Sequence, residues 1–217
     1  MGLDASTRSD AGALVAPSTD QDWQDWVSAT ATRNFLLQDP LLDWLDLYGE
    51  KNGFRRDTAL PGYDPRTDFT KFLFQKTREF EAAVITHLKT LTSITTIATN
   101  PSDARKSEKV QETFATLESG APAIYQAVLW DAENRTYGVP DLLIRSDELS
   151  RLFPNILTKE EAAQSATDLK GASWHYRVVD LKFTTLDLLA GGELGNAGSA
   201  RAYKAQLFVY NRALSGC

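Results

Sequence analysis

Asp180, Leu181 and Lys182 interrupt the otherwise strand-like stretch YRVVDLKFTT at residues 176–185. Alternate side chains of a strand face opposite ways, so Asp180 and Lys182 share one face while Leu181 and Phe183 take the other. An acid and a base so placed form either a structural ion pair or part of a site in which the acid holds a cation and the lysine acts on a water bound to it. A second acid stands at the mouth of an apolar strand, where Gly138-Val139-Pro140-Asp141 leads into Leu142-Leu143-Ile144. Pro140 lacks the N–H that a central ladder position needs, which predicts a strand that opens with Asp141 at an edge. If that strand lies beside VVDLK, the two aspartates meet across adjacent strands and repel each other unless something positive lies between them. Glu81 supplies a third carboxylate. Three oxygen donors suit a hard divalent cation, Mg²⁺ or Mn²⁺, with water completing the shell.

Four elements must position these groups. The first is a helix from about Asp68 to Leu91. With Phe80 at zero and about 100° per residue, Val84, His87, Leu88 and Leu91 fall within about 340° to 80°, and Ile85 extends the arc to about 140°. Glu81, near 100°, lies inside that arc, where a carboxylate needs a partner, a proton or a metal, or else reaches water from the margin. Glu79 falls on the opposite side, where it is merely solvated. His87, at the edge of the arc, reads as a packed histidine. The strand candidates follow at 123–131 (AIYQAVLWD), 136–145 (TYGVPDLLIR) and 174–185, the first two joined as a hairpin through Ala132-Glu133-Asn134. The fourth element is a helix beginning near Ala200 that carries Gln206 and Tyr210.

The remaining segments read as support. Residues 1–19 are rich in Ser, Ala, Gly and Asp without periodicity, which predicts a disordered leader. Between Trp23 and Tyr48 two short helices are separated at Asp39-Pro40, and Trp23, Trp26, Trp44 and Tyr48 read as packing residues rather than a platform for bases. Turns are marked by Asn52-Gly53 and Pro61-Gly62. Residues 100–122 read as loop plus a short helix. Residues 146–173 form a helical excursion with Ser146 and Thr158 as N-caps. Gly191, Gly192, Gly195 and Gly198 match neither a phosphate-binding nor a dinucleotide-binding spacing.

Composition bounds the possibilities. A chain of 217 residues with 42% apolar content can bury one sizeable core. Cys217 is the only cysteine, so no intrachain disulfide exists and a reducing, intracellular setting is expected. No apolar run is long enough for a membrane span, and the N-terminus lacks the apolar stretch of a secretory signal. The net charge of −6 argues against a uniformly basic surface, yet clustered carboxylates that hold a cation lower it too, so nucleic acid stays open as a partner.

In this order, a helix with Glu81, a hairpin ending in Gly-Val-Pro-Asp141, a strand with Asp180-Leu181-Lys182 and a helix with Gln206 and Tyr210 together resemble the PD-(D/E)xK nuclease superfamily and, within it, the RecB-like nucleases. The resemblance covers about residues 70–214 apart from the excursion. It implies an α/β fold with a central mixed β-sheet flanked by helices, a restriction-endonuclease-like core over 68–217, to which 20–67 add a helical N-terminal extension. Carried over, Glu81, Asp141, Asp180 and the carbonyl of Leu181 are the implied metal ligands and Lys182 the catalytic lysine. Gln206 and Tyr210, four apart on one helical face, border the site as substrate-binding residues. The implied activity is Mg²⁺- or Mn²⁺-dependent hydrolysis of phosphodiester bonds, with DNA as the partner. An iron–sulfur version is excluded by the lone cysteine. Two other readings stay open: a nucleic-acid-binding module of this fold that no longer cleaves, and a protein-interaction domain in which Asp180 and Lys182 form a structural pair. The end of the chain at Cys217 reads as a minimal nuclease or a piece of a longer protein, and the expected setting is part of a longer protein or of a DNA-processing complex.

Overall fold

The computed structural model describes Pro17, residues 22–166, Leu169, residues 172–185 and residues 187–215. The leader expected over 1–19, Pro17 apart, and Cys217 lie outside the described residues. Among the described residues seven strands are formed: β1 Val27–Ser28, β2 Ile94–Thr96, β3 Ala123–Tyr125, β4 Leu129–Asp131, β5 Thr136–Gly138, β6 Leu142–Arg145 and β7 Tyr176–Val179. The α-helices are α1 Thr32–Leu36, α2 Pro40–Trp44, α3 Phe69–Leu91, α4 Ser107–Glu118, α5 Ser146–Leu152, α6 Lys159–Ala162 and α7 Ala200–Ser215.

The strands make two mixed sheets. One has the order β2-β3-β6-β7, with β2 parallel to β3 and the other pairs antiparallel; the other has the order β1-β5-β4, with β1 parallel to β5. The chain is thus an α/β protein whose sheets are flanked by helices. The strand expected over 123–131 is two strands in different sheets, and so is the one expected over 136–145. Gln126 explains the first break, because its φ of 56° is left-handed and turns the chain out of β3. Pro140 accompanies the second, as a residue without a ladder donor. The expected hairpin survives as β4 and β5, while β3 and β6 form a second antiparallel pair. The third strand is shorter than expected and ends at Val179, so Asp180 and Lys182 lie just beyond the ladder.

Alternation in the four-stranded sheet divides the core in two. Ala123, Leu142 and Ile144 pack with Ile85 and Leu88 of α3 and Leu149 of α5 on one face. Ile124, Leu143 and Tyr176 pack on the other with Val110 and Leu117 of α4, Trp130, Tyr137 and Ala213 of α7. Trp23 joins this second cluster, its ring centroid 5.1 Å from that of Trp130 and 5.0 Å from that of Tyr137. Trp44 and Tyr48, also expected to pack, are 40% and 49% exposed; Trp44 leans on Tyr48 at 6.1 Å and on Phe54 at 5.9 Å rather than on the main core.

Helix α3 starts where Asp68 caps it, the carboxylate accepting the Lys71 N–H at 2.9 Å. Only its second half packs. Ile85 and Leu88 are buried with Val84 and Glu81 beside them, so the packing face is centred closer to Glu81 than the expected arc, and His87, expected to be packed, is exposed. Ser146 lies inside the first turn of α5 rather than capping it, and its hydroxyl accepts the His175 N–H at 3.3 Å; Thr158 caps α6 as expected. Among the described residues no helix is long and apolar enough to cross a membrane.

Candidate metal centre

Register brings the acids together. Leu142 pairs with Val179, so the next positions, Asp141 and Asp180, stand opposite each other at the end of β6 and β7. Tyr125 pairs with Leu142 on the other side, which puts Gln126 beside Asp141; the Gln126 N–H donates to the Asp141 carbonyl at 3.0 Å. Gln126, Asp141 and Asp180 thus form a row across one end of the sheet.

Asp141 is the centre of that row. Its Oδ2 accepts the Leu181 N–H at 2.6 Å, and its carboxyl lies within hydrogen-bonding reach of Asp180. Burial, a hydrogen bond to Asp180 and the charges of Asp180 and Glu81 push the Asp141 carboxyl up to about 7, against the pull of the Leu181 N–H. Asp180 is nearly buried, with Oδ2 2.7 Å from Lys182 Nζ. The lysine, whose side chain is 27% exposed, also sits 5.4 Å over the ring of Tyr203 on α7. Val178 packs on the α7 side of the sheet and Val179 and Leu181 on the α3 side. The alternation therefore keeps Asp180 and Lys182 toward α7.

Glu81 arrives from the opposite face. Its Oε1 accepts the Tyr125 hydroxyl at 2.7 Å and the Gln126 Nε2 at 3.1 Å, and the same Nε2 lies 3.4 Å from Asp141 Oδ1. Burial and Glu81 raise the Tyr125 phenol above its ordinary range. Glu79 is exposed and bound to Lys76 and Gln75, as its helical position requires.

On α7, Gln206 Nε2 donates to the Tyr210 hydroxyl at 2.7 Å. Tyr210 is 2% exposed and packs against Gly138, where a methyl group would overlap its ring. Tyr210, expected to border the site as a substrate-binding residue, thus has its ring enclosed against β5. Burial raises its hydroxyl above the ordinary phenol range. Gln206 is only half-buried.

The carboxylates of Glu81, Asp141 and Asp180 offer only oxygen donors, which suits a hard cation in kind. Among the described residues, however, no three His, Cys, Asp or Glu side chains converge as a ready ion site. Lys182 holds Asp180 toward α7, and Gln126 stands between Glu81 and Asp141. Tyr125 and Gln126 were not marked by the sequence reading, although Gln126 is the one amide in an otherwise apolar run. No family model, no curated protein and no solved structure matches this chain.

Proposed function

We propose that the chain is a metal-dependent nuclease of the PD-(D/E)xK type with a restriction-endonuclease-like core, hydrolysing phosphodiester bonds of DNA. The observation that carries this reading is the register that sets Asp141 opposite Asp180 at the end of the sheet, with Lys182 against Asp180. Two buried acids set opposite each other, with burial and the neighbouring acid pushing the Asp141 carboxyl up to about 7, are a poor choice for stability alone, and an ordered divalent cation would relieve them.

Asp141, Asp180 and the carbonyl of Leu181 would hold Mg²⁺ or Mn²⁺, with Glu81 drawn in from α3. The ion, when bound, supplies positive charge to phosphate oxygens and acidifies water. Once Asp180 turns from it, Lys182 is free to stabilise negative charge on the phosphate or to orient the attacking water. Tyr203 lies under its ammonium and limits where it can go. Gln206, half-buried on the same helix, borders the site and supports Tyr210.

The 2.7 Å contact between Asp180 and Lys182 favours a second reading, a protein-interaction domain in which the pair is structural. Lys182→Ala separates the two. A nuclease loses cleavage of linear or circular DNA by about 10³-fold or more in Mg²⁺ while still binding Mn²⁺. A structural pair gives instead a lower melting temperature in the variant and no Mn²⁺ affinity in the wild type. A wild type that neither cleaves DNA nor binds Mg²⁺ or Mn²⁺ overturns the nuclease reading.

A further inference from the structure

We propose that Gln126 is a built-in competitor of the cation: its side-chain amide ties Glu81 to Asp141 in the metal-free protein and must let go when a divalent ion binds, so it sets the metal affinity of the site. The inference rests on the metal-site reading above.

Three observations carry it. Tyr125 and Gln126 are consecutive, yet both donate to Oε1 of Glu81, at 2.7 and 3.1 Å. Consecutive side chains of a regular strand point to opposite faces and cannot do this. The left-handed backbone of Gln126, φ 56°, breaks the alternation and brings the amide round to the carboxylate. Glutamine has no special ease in that region, which glycine, asparagine and aspartate tolerate best, so the position carries strain.

The second observation is what the amide does there. An amide nitrogen has two hydrogens, and here one atom stands 3.1 Å from Glu81 and 3.4 Å from Asp141. A neutral donor between two acids does weakly what a cation does strongly. Third, Oε1 of Glu81 accepts two hydrogen bonds, which matches the two lone pairs of the oxygen. An ion held by both Glu81 and Asp141 would take the place that the amide nitrogen holds between them, and where it is bound through Oε1 one donor must leave, the longer bond being that of Gln126. By linkage, an interaction made only in the metal-free state weakens metal binding by its own worth.

Gln126→Gly keeps the left-handed backbone and removes the amide; Gln126→Ala removes the amide and keeps the strain. The test is calorimetric titration of the full chain with Mn²⁺, with melting in chelator and in saturating Mn²⁺ as a second readout. Mn²⁺ affinity is expected to rise about tenfold in both variants, with a larger Mn²⁺-induced rise in melting temperature than in the wild type. If Gln126→Ala does not fold, Gln126→Gly carries the test. Unchanged affinity beside a wild type that binds Mn²⁺ overturns the competitor role alone. So does weaker affinity, which would make Gln126 a ligand. A wild type that does not bind Mn²⁺ removes the metal reading and this inference with it.

Discussion

Asp141 makes the metal-free protein sensitive to alkali. Its carboxyl is pushed well above the range of an unfolded chain by burial and by Asp180, so between about pH 4 and 7 the folded state keeps a proton that the unfolded state releases. The sign is therefore a loss of stability as pH rises through that window. At the acid end Glu148 works the other way. The Arg151 guanidinium, 2.6 Å away, holds its carboxyl down to about 2, and its contribution is lost as pH falls through about 4 toward 2. Melting in chelator should accordingly peak near pH 5 and fall by pH 8. Asp141→Asn should flatten the alkaline side. An unchanged slope in that variant would show that the proton is held elsewhere.

The elements matter through what they press together. Helix α7 lies against β4, β5 and β7, with Tyr203 under Lys182 and Tyr210 against Gly138. Gly138 ends β5 where the Tyr210 ring leaves no room for a Cβ, and Ala29 would stand 3.1 Å from it on another side. Gly138→Ala should therefore cost about 1–3 kcal/mol by overpacking, read from urea unfolding. Combined with Tyr210→Ala, it should cost clearly less than the two single changes together, because the overlap is gone. Stability of Gly138→Ala equal to the wild type would mean that α7 does not press on β5 in solution. Helix α3 behaves differently: its first half carries exposed Phe69, Phe72 and Phe74, and only the stretch from Glu81 onward joins the core. Glu81 thus sits at the first turn that meets the sheet.

Across the molecule, the N-terminal segment contributes to the core. β1 adds a parallel edge to β5, and Trp23 fills the space against Trp130 and Tyr137, with the Arg105 guanidinium 5.4 Å over its ring. The two sheets share the cluster that Trp23 completes. Trp23→Ala should lower the unfolding free energy by about 3–5 kcal/mol. Trp44→Ala, at an exposed ring, should cost less than about 1 kcal/mol. Guanidinium unfolding of the two variants measures both, and equal losses would refute the difference in packing.

The helices α3 and α7 could be read from residue order because such signals are local, as in the 3.6-residue period of Val84, Ile85 and Leu88 on α3. The acids were legible for a related reason, since a carboxylate in an apolar strand or helix face stands out whatever the fold. The strand breaks at Gln126 and Pro140 were not legible as changes of sheet. The first depends on a backbone angle that glutamine rarely adopts, and tertiary packing imposed it. β2 was missed because three residues, Ile94–Thr96, carry no period of their own and become a strand only by pairing with β3. Side-chain order along the chain likewise named Glu81, Asp141, Asp180 and Lys182. Only the register of β3, β6 and β7 decided that Asp141 meets Asp180 while Glu81 reaches it through Gln126. Register arises from contacts between segments far apart in the chain, and no local pattern contains it.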